Sequence, residues 1–104
     1  MSNKYTLRYL PLFESDLNGV VEYISNTLHN PAAALRLVED TEKAILGRLY
    51  NPLEFGKYNS FIEREHPYYR INIRNFSVFY VVIDDVMEIR RFIYNKRNIE
   101  NLIY

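Results

Sequence analysis

Between Arg70 and Arg97 the chain places cations at strand spacing. Arg70 and Arg74 stand in "YYRINIR", Arg90 and Arg91 in "EIRRFIY", and Lys96 and Arg97 follow Tyr94 closely. A guanidinium meets phosphate or carboxylate oxygens with a planar fork of donors, and an ammonium meets them as a point charge. Residues of this kind stabilise negative charge. Arginine does not take up a proton near neutral pH, so general-base chemistry would have to come from another residue type. Tyr94 could stack on a nucleobase, and Tyr104 supplies a phenol at the end of the sequence. From Arg64 to Arg97 there are seven basic residues (Arg64, Arg70, Arg74, Arg90, Arg91, Lys96, Arg97) against four acidic ones (Glu65, Asp84, Asp85, Glu88). Over the whole chain 13 basic residues balance 13 acidic ones. That balance excludes the broad basic excess of a protein that coats nucleic acid.

Other chemistries are poorly represented. The chain has no cysteine, which excludes disulfides and thiolate metal sites. His29 and His66 are isolated beside Asn30 and Pro67, without carboxylates at ligand spacing, so no metal is expected. Gly19, Gly47 and Gly56 form no phosphate-cradling loop, so no nucleotide cofactor is expected either. The alternation of Arg70 and Arg74 reads equally well as a solvated strand face. The 10 tyrosines fit β-propensity and packing as well as they fit recognition.

The elements that position these residues follow from hydrophobic periodicity. At 104 residues the chain is expected to form one domain over 1–104. A chain of that size buries roughly two-thirds of its unfolded surface. No apolar run approaches the roughly 20 residues of a membrane span, and the charged start "MSNKYTLRYLPLFESD" is unlike a signal peptide. A soluble cytoplasmic protein with no membrane partner is expected. "KYTLRYL" (4–10) alternates as a half-buried strand. Pro11 then opens a helix whose apolar face is Phe13, Leu17, Val20, Val21, Ile24 and Leu28. Asn30 and Pro31 cap and start a second helix, with Ala34, Val38, Ile45 and Leu49 along one face. Residues 68–74, 77–83 and 86–94 read as three strands, joined at Asp84–Asp85 by a turn. In the last of these, alternation sets Met87, Ile89, Arg91 and Ile93 on one face and Glu88, Arg90, Phe92 and Tyr94 on the other. Arg90 and Arg91 would then point apart, one of them lying over the helices and paired with an acidic residue such as Glu39 or Glu42. The order β-α-α-β-β-β predicts a two-layer α+β fold. A helical hairpin packs on one face of a mainly antiparallel four-stranded sheet, and the other face stays open to a partner.

The ordered set "Y-x-L-x-Y-x-P-x-x-x-x-D-L", "P-A-A-A", "Y-R-I", "F-Y-V-V" and a terminal aromatic-x-K/R-R-N resembles the RelE/ParE superfamily of bacterial toxins over nearly the whole chain. The resemblance implies a toxin of a type II toxin–antitoxin module, associated with growth inhibition and plasmid stabilisation and held inactive by a cognate antitoxin. It also implies a homodimer or a toxin–antitoxin hetero-oligomer as the assembly. One branch of the superfamily cleaves mRNA on the ribosome and another inhibits DNA gyrase, so fold alone does not choose between enzyme and binder. Against the ribonuclease pattern, Arg70, Lys96 and Arg97 match, and Tyr104 is displaced by one position. Asn72 and Ser77 stand where that pattern has basic residues. Those four matching or displaced residues are the expected catalytic set if the protein is a ribonuclease. Arg70, Arg74, Arg90, Tyr94, Lys96 and Arg97 are the expected target-binding set in either case. The departures cost a gyrase inhibitor nothing, and the resemblance is closer to the ParE-like branch. A third reading is a non-toxic relic that retains only antitoxin binding.

Overall fold

The computed structural model describes residues 4–58 and 65–103. In chain order the elements are β1 (Thr6–Tyr9), α1 (Pro11–Glu22), a π-helical turn (Tyr23–Thr27), α2 (Pro31–Arg48), β2 (Tyr69–Ile73), β3 (Phe76–Ile83), β4 (Val86–Tyr94) and α3 (Ile99–Leu102). Pro11 and Pro31 start their helices where a missing N–H costs nothing. Asn30 Oδ1 accepts the Ala33 amide at 3.1 Å and so satisfies one of the orphan donors of α2. The link between the helices is short because the π-helical turn gathers the end of α1. Leu28 and Asn30 donate to the carbonyls of Tyr23 and Ile24, both at 3.0 Å. His29 then reverses the chain at φ 52.

The sheet order is β1-β4-β3-β2. β1 runs parallel to β4, and the other two pairings are antiparallel. This is the two-layer α+β arrangement expected, with the helical pair on one face. On that face Ile71, Ile73, Val78, Tyr80, Met87 and Ile89 meet Phe13, Leu37 and Ile45 in one core. The buried face of α2 is Ala34, Leu37, Thr41 and Ile45. Val38 and Leu49, expected on that face, are only half-buried, and Leu28 is exposed.

The opposite face differs from expectation. It is not left open, because Tyr68, Phe79, Val81 and Ile93 pack there with Ile99 and Ile103 from α3 and its end. Tyr58 covers part of the same cluster, its ring edge-on to Phe79 at 5.2 Å. Both faces of the central strands are therefore buried, which explains why β3 is a nearly continuous apolar run.

β4 also breaks the simple alternation. Phe79 pairs with Arg91 but Tyr80 pairs with Ile89, so Arg90 is an extra residue in the ladder. Such a bulge reverses the facing of every side chain beyond it. Met87 and Ile89 before the bulge and Phe92 after it all join the helix-side core, while Ile93 joins the other cluster. The expected grouping of Met87, Ile89, Arg91 and Ile93 on one face is corrected accordingly.

β1 pairs only with Val86–Ile89, so the upper half of β4 has a bare edge. Asp16 of α1 occupies it. Its Oδ2 accepts the Phe92 amide at 3.0 Å and Arg91 Nε at 2.7 Å, and its Oδ1 accepts Arg91 Nη2 at 3.1 Å. Arg91 also donates to the Leu102 carbonyl. The acidic partner of Arg91 is thus Asp16, not Glu39 or Glu42. Both side chains are 14% exposed, so removing one leaves the other charge buried and unpaired. Asp16→Ala is expected to cost about 3 kcal/mol, read as a lower urea midpoint. Asp16→Asn, which keeps an acceptor for the Phe92 amide, should cost less.

Candidate functional site

Arg70 lies on the face of β2 that points away from the helices, and Ser77 and Asn72 face each other across the β2–β3 pairing. Ser77 is fully buried and its hydroxyl accepts Arg70 Nε at 2.7 Å. Asn95, just beyond β4, accepts Arg70 Nη2 at 3.0 Å through Oδ1. The Ser77 hydroxyl has one proton to give. Asn95 Oδ1 receives it at 2.5 Å, with Asn72 Oδ1 at 3.2 Å as the weaker acceptor. The guanidinium also lies over the rings of Phe79 at 5.7 Å and Tyr58 at 5.8 Å. Every acceptor that fixes Arg70 is neutral, and among the described residues no carboxylate pairs with it. This cluster holds a cation in place through neutral acceptors. It cannot supply a base, because neither Ser77 nor the two asparagines take up protons at neutral pH.

The backbone beneath Arg70 is also pinned. Arg48, at the end of α2, donates to the Arg70 carbonyl at 3.3 Å and to the Tyr80 hydroxyl at 3.1 Å. Tyr80 in turn donates to the Pro52 carbonyl at 2.7 Å. Arg48 stacks on Phe55 with 3.7 Å to the ring centre. Burial pushes the Tyr80 phenol up, and the Arg48 hydrogen bond and charge offset part of that rise. The loop after α2 is thereby tied to the strand that carries Arg70.

The other candidate residues do not gather around Arg70. Arg74, expected on the same strand face, sits in the β2–β3 turn at φ 55 and forms an ion pair with Asp40 of α2. Arg90 donates to Glu88 at 2.8 Å and to the Tyr68 hydroxyl at 3.5 Å. Glu88 accepts Arg8 as well, at 3.0 Å. Tyr94 lies on the helix-side face beside Phe76, at 5.5 Å between rings. It shares with Arg97 a groove of about 710 Å³ that also takes in Val20, Ile24, Phe76 and Phe92. Lys96 and Arg97 are exposed. Tyr104 lies outside the described residues. Ser77, Asn95 and Arg48 were missed as members of this cluster. In the sequence Ser77 reads only as a departure from a pattern, although a two-residue turn at Arg74–Asn75 places it opposite Asn72. Among the described residues, no group of three or more histidines, carboxylates or cysteines could hold a metal, and no helix is long and apolar enough to cross a membrane.

The sequence profile described as the ParE toxin of the type II toxin–antitoxin system parDE matches residues 7–99. No curated protein sequence matches the chain. Among solved structures, the chain is similar to one from the chromosomal ParDE toxin–antitoxin system of P. aeruginosa, with a TM-score of 0.72 and 17% identity. That match covers 89% of this chain and 98% of the other. It is also similar to a chain of the RelB–RelE antitoxin–toxin complex from Methanococcus jannaschii, with a TM-score of 0.52 and 22% identity, covering 93% and 99%. At these identities the two structures establish a shared fold.

The Glu88 carboxyl carries the clearest pH signature. Burial pushes its pKa up, but the hydrogen bonds and charges of Arg90 and Arg8 together outweigh burial, so the net shift is downward. A carboxyl depressed in the folded state binds its proton more readily when unfolded. Its contribution is fully present above the unfolded-state pKa of about 4.3 and is lost as pH falls through the lower folded value. Urea titrations from about pH 6 to about pH 3 should therefore show a steeper loss of stability in the native chain than in Glu88→Gln. Parallel curves would remove Glu88 as a source of acid sensitivity.

Proposed function

The chain belongs to the ParE toxin family of type II toxin–antitoxin systems, and from that membership we propose that it arrests growth by binding DNA gyrase, with Arg70 in the contact surface. The observation that carries this reading is the neutral cradle of Arg70. Ser77 and Asn95 fix the guanidinium without cancelling its charge, and Asn72 stands beside them where a nuclease of this fold would want a second cation. The cluster offers anion recognition without a proton acceptor, which suffices for an inhibitor by binding but not by itself for phosphodiester cleavage.

A cognate antitoxin holds the protein inactive in this reading, as a toxin–antitoxin hetero-oligomer. The toxin–antitoxin systems to which the similar structures belong support that partner. The groove between α1 and the end of β4 suits an apolar segment of it. Val20, Ile24, Phe76, Phe92 and Tyr94 offer the apolar wall, and Arg97 offers a polar end. Action on gyrase places the protein in the cytoplasm.

Ribosome-dependent cleavage of mRNA is the second reading, favoured by the exposure of Lys96 and Arg97 just past β4. In that case Arg70, Lys96 and Arg97 would stabilise charge, and Tyr104 would have to supply proton transfer.

Two assays on the purified chain separate the readings. In a DNA supercoiling reaction the native protein is expected to inhibit gyrase and trap cleaved DNA. Arg70→Ala, folded by circular dichroism, should need roughly tenfold more protein for the same effect. In a translation reaction with end-labelled mRNA, no ribosome-dependent cuts should arise. Discrete cuts abolished by Arg70→Ala would overturn the gyrase reading in favour of the nuclease. Inactivity in both assays would leave a protein that only binds antitoxin.

A further inference from the structure

Far from Arg70, a cleft of about 260 Å³ opens between the first turns of α1 and the middle of α2, with Tyr9 of β1 at its side. Its depth is apolar, formed by the buried Phe13 and Ile45 with the half-buried Leu17 and Val38. Two carboxylates, Glu14 and Glu42, line it from exposed positions, and neither has a basic partner among the described residues. Thr41 lines the same cleft and is only 1% exposed. Its Oγ1 is a buried side-chain oxygen without a hydrogen-bond partner among the described residues. A helical threonine can satisfy itself on a carbonyl one turn back. This one does not, and a buried hydroxyl left unpaired costs stability.

These features define what fits: an apolar stem to fill the cleft, a positive end to meet two carboxylates, and a donor for Thr41 Oγ1. The field is negative enough to be felt nearby, since burial and then the charge of Glu42 push the Tyr9 phenol up. The surroundings indicate that the cation arrives on a polypeptide. Leu35, Glu39, Glu42 and Leu46 recur at helical spacing along α2, all exposed, with both leucines near half exposure or above at 60% and 46%. A second copy of the chain laid antiparallel on this stripe would set glutamate against glutamate. A basic segment with its own leucines is complementary in both charge and apolar contact.

We infer that the α1–α2 cleft receives a lysine or arginine side chain from a basic, leucine-bearing helical segment of a protein partner. The alkyl stem lies against Phe13 and Leu17, the cation meets Glu14 and Glu42, and one of its N–H groups donates to Thr41 Oγ1. This docking is independent of how the toxin acts on its target.

The test uses the full chain and a synthetic helical peptide with arginines at i, i+4 spacing flanked by leucines, beside a counterpart with glutamine for arginine. Amide NMR titration should show saturable shifts centred on Glu14, Thr41 and Glu42 with the arginine peptide. The glutamine peptide and the surface variant Glu14→Gln/Glu42→Gln should each weaken binding roughly fivefold. Thr41→Val should melt at a higher temperature yet bind the arginine peptide more weakly, a divergence that a merely structural threonine would not give. Equal binding of the two peptides, shifts centred elsewhere, or unchanged affinity in Thr41→Val would overturn the proposal. Agmatine binding as tightly as the peptide would also overturn it, by assigning the cleft to a free amine.

Discussion

One extra residue in β4 governs which side chains of that strand meet the helices. Opposite Phe79 and Tyr80 the strand must accommodate Arg90 without a ladder partner, and the side-chain period is two, so everything after it changes face. Ahead of the bulge, Met87 and Ile89 fill the core under the helices. Beyond it, Phe92 and Tyr94 take that side, and Ile93 turns to the second cluster with Phe79 and Val81. Without the bulge, Phe92 would leave the core and Ile93 would replace it. Both arginines of this stretch have acidic partners, Arg90 in Glu88 and Arg91 in Asp16. Two adjacent cations thus each meet a carboxylate of the same chain.

Arg70 is treated differently. Its hydrogen-bond acceptors are a buried serine and an asparagine amide, and among the described residues no carboxylate pairs with it. Arg74, Arg90 and Arg91 on the same strands and turn are each matched to a carboxylate. Rigidity matters here, because a guanidinium already held in place loses less freedom on binding than a mobile one. Arg48 and Tyr80 extend that rigidity to the backbone of β2 and to the loop that follows α2.

Much of the fold was legible in the residues. Pro11 and the Asn30–Pro31 pair mark helix starts through local stereochemistry, and the alternation of Tyr69, Ile71 and Ile73 marks a half-buried strand. The Asp84–Asp85 turn announces itself because aspartate tolerates the left-handed region that Asp84 adopts at φ 55. The Arg74 turn does not, since arginine rarely sits at positive φ. Nothing local in "EIRRFIY" announces a bulge either, because every residue in it is an acceptable strand residue. The covering of the second face by Ile99 and Ile103 was equally hidden, as a short apolar ending has no period long enough to assign.

The sequence by itself determined the element order, the helix starts, the three strands of the second half and the presence of a cationic residue at position 70. Each depends on interactions within a few residues, or on a period that one chain segment displays alone. Only the tertiary structure decided which cations remain available. Pairing Arg91 with Asp16 spans most of the chain, and joining Arg70 to Ser77 and Asn95 requires three strands in one register. The charge of an arginine is written in the sequence, but whether that charge is cancelled depends on which carboxylate the fold brings within reach.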